Sequence, residues 1–231
     1  MKLLAALILS ILPLTAVAEW RFEALGGQCS YSKVGNYVWY NEHYQHELDM
    51  TGGCALIGVS KVARNQGNLA FGWRIAHVDF GKANTNAVFP MRDDEQISVL
   101  PDGSSCDPIT WSGCIGRGKG QQTARGVSFG LLAERKALGA SWEVEGGLFA
   151  YEGAWRVHIE PETPSSFHPM TFDWEGYQVT PFIGFGVRYG YAMAMVRAYG
   201  RVRAAEHGCG VCSGVANGVG TQWLMGLSVP F

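Results

Sequence analysis

Through most of the chain apolar side chains fall on every second residue. Trp20, Phe22 and Ala24 alternate with Arg21 and Glu23; Ala55, Ile57 and Val59 with Leu56, Gly58 and Ser60; Leu69, Phe71, Trp73 and Ile75 with Ala70, Gly72 and Arg74. Val127, Phe129, Leu131 and Ala133 stand against Gly126, Ser128, Gly130 and Glu134, and Trp142, Val144, Leu148 and Ala150 against Glu143 and Glu145. Tyr177, Val179, Ile183, Phe185, Val187 and Tyr189 oppose Gln178, Thr180, Gly184, Gly186 and Arg188, with Pro181 a departure on the apolar face. Ala192, Ala194, Val196, Ala198 and Val202 oppose Met193, Met195, Arg197, Tyr199 and Arg201. The final stretch sets Trp223, Met225, Leu227, Val229 and Phe231 against Gln222, Leu224, Gly226, Ser228 and Pro230, where only Leu224 breaks the pattern. Successive side chains of a strand point to opposite faces, so this period of two predicts strands with one bulky apolar face and one small or polar face.

Eight strands follow from these segments. The first runs from Trp20 to about Tyr31, the second from Gly52 to Ala63, the third from Leu69 to about Lys82, and the fourth from Arg125. A tight turn near Ala137 to Gly139 leads into the fifth, and a turn near Gly190 joins the sixth to the seventh. Beyond Gly153 the apolar phase moves to Trp155, Val157 and Ile159, which predicts a bulge or a strand rising past the apolar band. Ser32 to Met50 is an aromatic, polar connection; 83 to about 122, rich in Pro, Gly, Asp and Ser, reads as a long loop. Pro161 to Met170 and Glu206 to Gly218 are further loops. Long connections thus follow strands one, three, five and seven, and short ones follow two, four and six.

The chain opens MKLLAALILSILPLTAVAEW, with one Lys, an apolar run to about Leu14 and small residues at Ala16 and Ala18. This predicts a secretory signal peptide over 1–18 and a single domain over 19–231. The alternative, a membrane anchor, needs roughly 20 apolar residues, more than the run supplies. No later segment suits a spanning helix. Yet only 16% of residues are charged, against about 25% in soluble proteins, which turns attention to strands that meet lipid. A net charge of −2 argues against a nucleic-acid partner. Six Cys in an exported chain predict disulfides rather than a cytosolic metal site.

The closing GTQWLMGLSVPF, ending on an aromatic residue, resembles the last strand of a Gram-negative outer-membrane β-barrel. The resemblance implies short periplasmic turns, long surface loops and both termini in the periplasm, in an all-β, eight-stranded antiparallel transmembrane barrel of up-and-down topology. A soluble lipocalin-like barrel has the same strand number but places its apolar faces inside. The loop asymmetry and strands of ten or more residues favour the membrane form, with Arg21, Glu23, Arg74, Glu134, Glu143, Glu145, Arg188, Arg197 and Arg201 in the lumen. An eight-strand lumen is only wide enough for its own side chains, so these charges should pair into a plug, with Glu143 meeting Arg188. No cofactor or metal is expected.

Pairing Trp20 near Arg64 puts Cys29 opposite Cys54 or Ala55, both inward, and predicts a Cys29–Cys54 bridge. Cys106–Cys114 and Cys209–Cys212 would then close the second and fourth long loops. For Cys209 and Cys212 a redox or metal pair is the alternative.

Several stretches invite a catalytic reading. His43, His46, Glu47 and Asp49 share the first long loop, and Asp93, Asp94 and Glu95 the second. His77 with Asp79, and His158 with Glu160, lie two apart on one strand face, and a His beside a carboxylate can act as a general base. No positioned nucleophile accompanies them. The chain lacks the His-x-Ser of barrel lipid A deacylases, and resembles omptin-type proteases only in its acidic loop pairs.

In architecture the chain resembles the small OmpA-like and OmpX-like or Ail/Lom barrels, and WYNEHYQHELDM is similar to a segment of prophage-associated small barrels. The resemblance implies a monomeric, non-enzymatic outer-membrane protein embedded in lipid, whose loops bind an extracellular or phage ligand. It also implies that Trp223, Met225, Leu227, Val229 and Phe231 are read by the barrel-assembly machinery. The competing expectation is a lipid-modifying enzyme, a lipid A or phospholipid acyl hydrolase, using a His and carboxylate at the outer rim.

Overall fold

The computed structural model describes residues 17–31, 51–64, 69–90, 115–161, 170–200 and 218–231. They form β1 (Val17–Tyr31), β2 (Thr51–Arg64), β3 (Leu69–Pro90), β4 (Ile115–Ala137), β5 (Ala140–Pro161), β6 (Met170–Tyr189), β7 (Ala192–Tyr199) and β8 (Val219–Pro230). Each strand pairs antiparallel with its sequence neighbours, and β8 returns to β1, closing an eight-stranded up-and-down barrel. Closure gives both sides of every strand a backbone partner along the shared ladder, which is what removes sheet edges.

The short connections have the backbone their residues dictate. Leu138 and Gly139 of the β4–β5 turn both have positive φ, 55° and 77°, as a two-residue type I′ hairpin turn requires. Gly190 opens the β6–β7 turn at φ 59°. Both turns lie at the same end as the beginning of β1, while the long connections after β1, β3, β5 and β7 leave the other end.

The strand faces divide sharply. Phe22, Ile57, Phe71, Phe129, Leu131, Val144, Ile183, Phe185, Met225 and Leu227 stand exposed on the outer wall, Leu131 at 64% and Met225 at 74%. Arg21, Arg74 and Arg197 are 0% exposed inside. Large apolar side chains thus cover the outer wall while charges are buried inside, where charged residues are ordinarily rare unless paired.

Three strands are markedly longer than the alternation predicts. Residues 83–90 and 115–122, expected as loop, continue β3 and β4 in a ladder that reaches Pro90↔Ile115. β6 begins at Met170 rather than near Tyr177, and pairs with β5 out to Ile159. By contrast β2–β3 pairing stops at Ala55↔Asp79 and β6–β7 pairing at Phe182↔Tyr199. Among the described residues, the outer halves of β3–β6 therefore project beyond the other four strands as a four-stranded sheet. Backbone hydrogen bonds sustain a ladder whatever the side chains, so the hydrophobic period need not continue where the strand does.

The phase change on β5 is not a bulge. β5 keeps one unbroken register with β4 and with β6, and positions 155, 157 and 159 share the parity of the inward-facing Phe149 and Tyr151. On that parity the inner face of β5 has already changed from carboxylates at Glu143 and Glu145 to rings at Phe149 and Tyr151 before the shift begins. A bulge does occur on β3, where the pairing to β4 slips between Asp79 and Lys82 and Gly81 takes φ 65°.

Pro181 sits where β7 ends. Its carbonyl accepts from Gly200 N at 2.7 Å, so its missing N–H would have pointed at the same residue. The neighbouring Thr180 Oγ1 donates to Gly200 O at 2.7 Å instead, taking over the bond that proline cannot make.

Candidate functional site

The lumen holds two layers. Toward the short turns lies a network of buried charges. Arg74 from β3 donates from Nε and Nη2 to Glu23 at 2.5 and 3.0 Å, from Nη2 to Glu143 at 2.6 Å and from Nη1 to Glu145 at 2.8 Å. Arg197 from β7 reaches Glu145 through Nη2 at 2.9 and 2.8 Å and Ser128 through Nη1 at 3.2 Å. Arg21 donates to Glu19 at 2.7 Å and Glu134 at 2.5 Å. Ser60 completes Glu23 at 2.8 Å. Charges removed from water are tolerated only when paired and hydrogen-bonded in this way.

Glycines make the network sterically possible. Glu145, Gly184 and Arg197 form one row across β5, β6 and β7, so that arginine and carboxylate meet over a strand with no side chain between them. Gly130 lies beside Arg74 in the β3–β4 ladder, and a Cβ there would stand 2.3 Å from Glu145 Oε1. At Gly186 it would stand 2.9 Å from Glu143 Oε1. Any larger residue at these positions would occupy the space through which the side chains cross the lumen.

The expected Glu143–Arg188 pair does not form. Arg188 faces Ser141 in the ladder, one row nearer the short-turn mouth, and lies 3.5 Å from Glu134 and 3.9 Å from Glu19. Glu143 is directly opposite Glu134 on β4, and its carboxylate turns across the lumen to Arg74. Two like charges side by side are each drawn to a different arginine, which separates the partners that adjacency on neighbouring strands would have joined.

Above the charges lies an aromatic layer that the alternation did not single out. Phe80 stacks on Phe149 at 5.8 Å and Phe149 on Tyr151 at 4.8 Å, with Tyr199 edge-on to Phe80 at 5.3 Å and Tyr31 5.7 Å from Phe80. Their hydroxyls are satisfied: Tyr31 donates to Gly81 O, Tyr151 to Gln178 Oε1 and Tyr199 to Gln222 Oε1. Leu25, Leu56, Val78 and Leu224 complete this cluster. Leu224, the lone apolar residue out of phase in the last strand, is thus a lumen side chain. The guanidinium of Arg197 stands 4.6 Å from the Phe182 ring centroid and joins the two layers. Phe80, Phe149 and Leu56 share strand parity with Arg74, Glu145 and Ser60 respectively, and that parity was the signal available in the sequence.

Cys29 and Cys54 form a disulfide inside the same layer, with Cα atoms 5.7 Å apart. The register differs from the expected one: Trp20 pairs with Lys61, so Cys29 faces Gly52 and Cys54 faces Gly27. The bridge runs diagonally between inward-facing neighbours. Cys106, Cys114, Cys209, Cys212 and Arg201 lie outside the described residues, as do His43, His46, Glu47, Asp49, Asp93, Asp94 and Glu95.

Of the candidate catalytic residues, His77, Asp79 and His158 are on the outer wall. His77 and Asp79 are exposed, His77 between Ile57 and Val127 in the ladders, and Asp79 Oδ1 accepts from Gly81 N at 2.7 Å. His158 is exposed with Nδ1 2.8 Å from Thr171 Oγ1; of Glu160 only the backbone is described. Asp79, Arg125 and Glu152 stand side by side on β3, β4 and β5, just past the apolar rows. Among the described residues no three His, Cys, Asp or Glu are grouped as a metal site. Trp223, Met225, Leu227, Val229 and Phe231 all face outward; Phe231 donates its N–H to Trp20 O at 3.0 Å and lies 6.4 Å from the Trp20 ring. Compared with protein-family models and with curated proteins, the chain has no match.

Proposed function

We propose that the chain is a bacterial outer-membrane barrel of the small OmpA-like or OmpX-like kind, whose plugged lumen makes it a rigid anchor and whose working surface is the end bearing the long connections. The observation that carries this reading is the combination of an apolar outer wall with a lumen packed by paired charges and rings. A membrane barrel needs about 9–11 residues per strand to cross. β3 to β6 have 22, 23, 22 and 20 residues, so their projecting halves and the connections beyond them are available to a partner outside the cell. That partner is another surface, a host factor or a phage component. The barrel reaches the membrane through the export and assembly machineries, acts as a monomer and needs no cofactor.

Heat-dependent gel mobility of protein refolded into lipid vesicles tests the membrane reading: folded protein should migrate differently from boiled protein, and protease should cut only outside the barrel. Steady ion conductance in planar bilayers would overturn the plugged lumen. Lipid mass spectrometry of cells with and without the protein separates this role from acyl hydrolysis; a changed acyl pattern abolished by His77→Ala would replace the anchor with an enzyme.

A further inference from the structure

The short-turn end of the lumen opens on a cavity of about 570 Å³ lined by Glu19, Lys136, Ser141, Arg188 and the two hairpin turns. The register builds it. Lys136, Ser141 and Arg188 stand side by side on β4, β5 and β6, two residues beyond the inward positions of Glu134, Glu143 and Gly186. Arg21 lies behind them, bonded to Glu19 and Glu134.

Charge and hydrogen bonding are both incomplete at this mouth. Among the described residues, Arg21, Arg188 and Lys136 stand against Glu19 and Glu134 at this mouth, three positive groups and two negative. Arg21 Nη2 and Arg188 Nε and Nη2 are buried without a hydrogen-bond partner. The Arg188 contacts to Glu134 and Glu19, at 3.5 and 3.9 Å, are longer than hydrogen bonds. Buried donors left this way are rare enough to need an explanation. The charge network deeper in the lumen, by contrast, is closely bonded.

We propose that this mouth is a binding site for a phosphate group. Its donors, Arg188, Lys136 and Ser141, come from three adjacent strands and offer two cations and a hydroxyl to one oxyanion. The Arg188 fork can take two phosphate oxygens, Lys136 supplies a mobile point charge at the rim and Ser141 a hydroxyl. Cations outnumber carboxylates among the described groups that line this mouth, which favours an anion there. The phosphate is either free in solution or carried by a phospholipid of the near leaflet, and only the second source rests on the membrane reading above.

The test uses the full chain folded in a neutral maltoside detergent and titrated by calorimetry with sodium phosphate, against sodium chloride at equal ionic strength. A free-phosphate site gives saturable heat that Arg188→Gln and Lys136→Gln each weaken at least about tenfold, roughly 1.4 kcal/mol. A headgroup site gives no heat with inorganic phosphate but a broadened phosphorus NMR signal in phosphatidylglycerol bicelles, sharpened again by Lys136→Gln. Gel mobility confirms that each variant is folded, and the exposed Lys136 keeps the test alive if Arg188→Gln misfolds. No response to either phosphate source, or a response indifferent to both substitutions, overturns the proposal. Phosphate binding by protein that fails to enter vesicles would overturn the membrane reading and leave this one standing.

Discussion

Arg74 grips Glu23 with two hydrogen bonds, Nε to Oε2 at 2.5 Å and Nη2 to Oε1 at 3.0 Å, from β3 across β2 to β1. The same guanidinium also holds Glu143 and Glu145, so three carboxylates from two sides of the lumen share one cation, Glu145 being held by Arg197 as well. Arg74→Gln should therefore destabilise the barrel by about 3–5 kcal/mol, the usual cost of stranding buried charge. Adding Glu143→Gln should recover part of that loss. Urea unfolding from vesicles followed by tryptophan fluorescence measures both, and additive losses in the double variant would show that the two residues are not coupled.

Gly130 and Gly186 give the glutamates their room. Gly130→Ala or Gly186→Ala should cost about 1–3 kcal/mol through overpacking against Glu145 or Glu143. Gly146→Ala, where an added Cβ meets nothing within 4 Å, should be neutral or stabilising. Equal effects at all three sites in the same unfolding experiment would remove the steric argument.

The Cys29–Cys54 bridge lies in the lumen with both residues buried and a sequence separation of 25. Removing it by Cys29→Ser with Cys54→Ser should cost roughly 2–4 kcal/mol. A reductant should leave the bond intact in folded protein and open it once urea unfolds the barrel. Alkylation followed by mass spectrometry reads this directly; fast reduction of the folded form would mean that the lumen is accessible at that level.

Thr180→Val removes the hydroxyl that stands in for the missing Pro181 N–H. The expected loss is about 0.5–1.5 kcal/mol, with faster hydrogen exchange at Gly200, whose N–H bonds to Pro181 O. Unchanged exchange at that amide would show that Thr180 does not hold the end of β7.

Phe231→Asp should impair assembly into the membrane far more than Ser228→Ala. Phe231 is 76% exposed on the wall beside Trp20, where on the proposed membrane reading a charge would meet lipid, whereas Ser228 is an inward residue whose hydroxyl has no hydrogen-bond partner. Levels of heat-modifiable protein in outer-membrane fractions provide the comparison.

The alternation alone identified the strands, their number and the contrast between an apolar and a charged face, because side-chain direction in a strand is tied to position parity. It also placed Cys29 and Cys54 on one face. It did not reveal the aromatic layer, since Phe80, Phe149 and Tyr151 sit on the parity that lower down carries charge, and a change of layer along one face resembles a slip of phase. Nor did it mark the projecting halves of β3 to β6, where the ladder continues without an apolar period.

What the sequence determined by itself is therefore which residues share a face: each strand carries that information locally, in a period of two. Which residues meet across the lumen was decided only by the tertiary structure. Closing the barrel sets the heights of strands that are not neighbours, so Glu143 finds Arg74 two strands away rather than Arg188 beside it, and Arg197 reaches Glu145 over Gly184. Those meetings depend on the summed register of every ladder between them, and a shift such as Trp20 pairing with Lys61 rather than near Arg64 moves every facing residue along the wall.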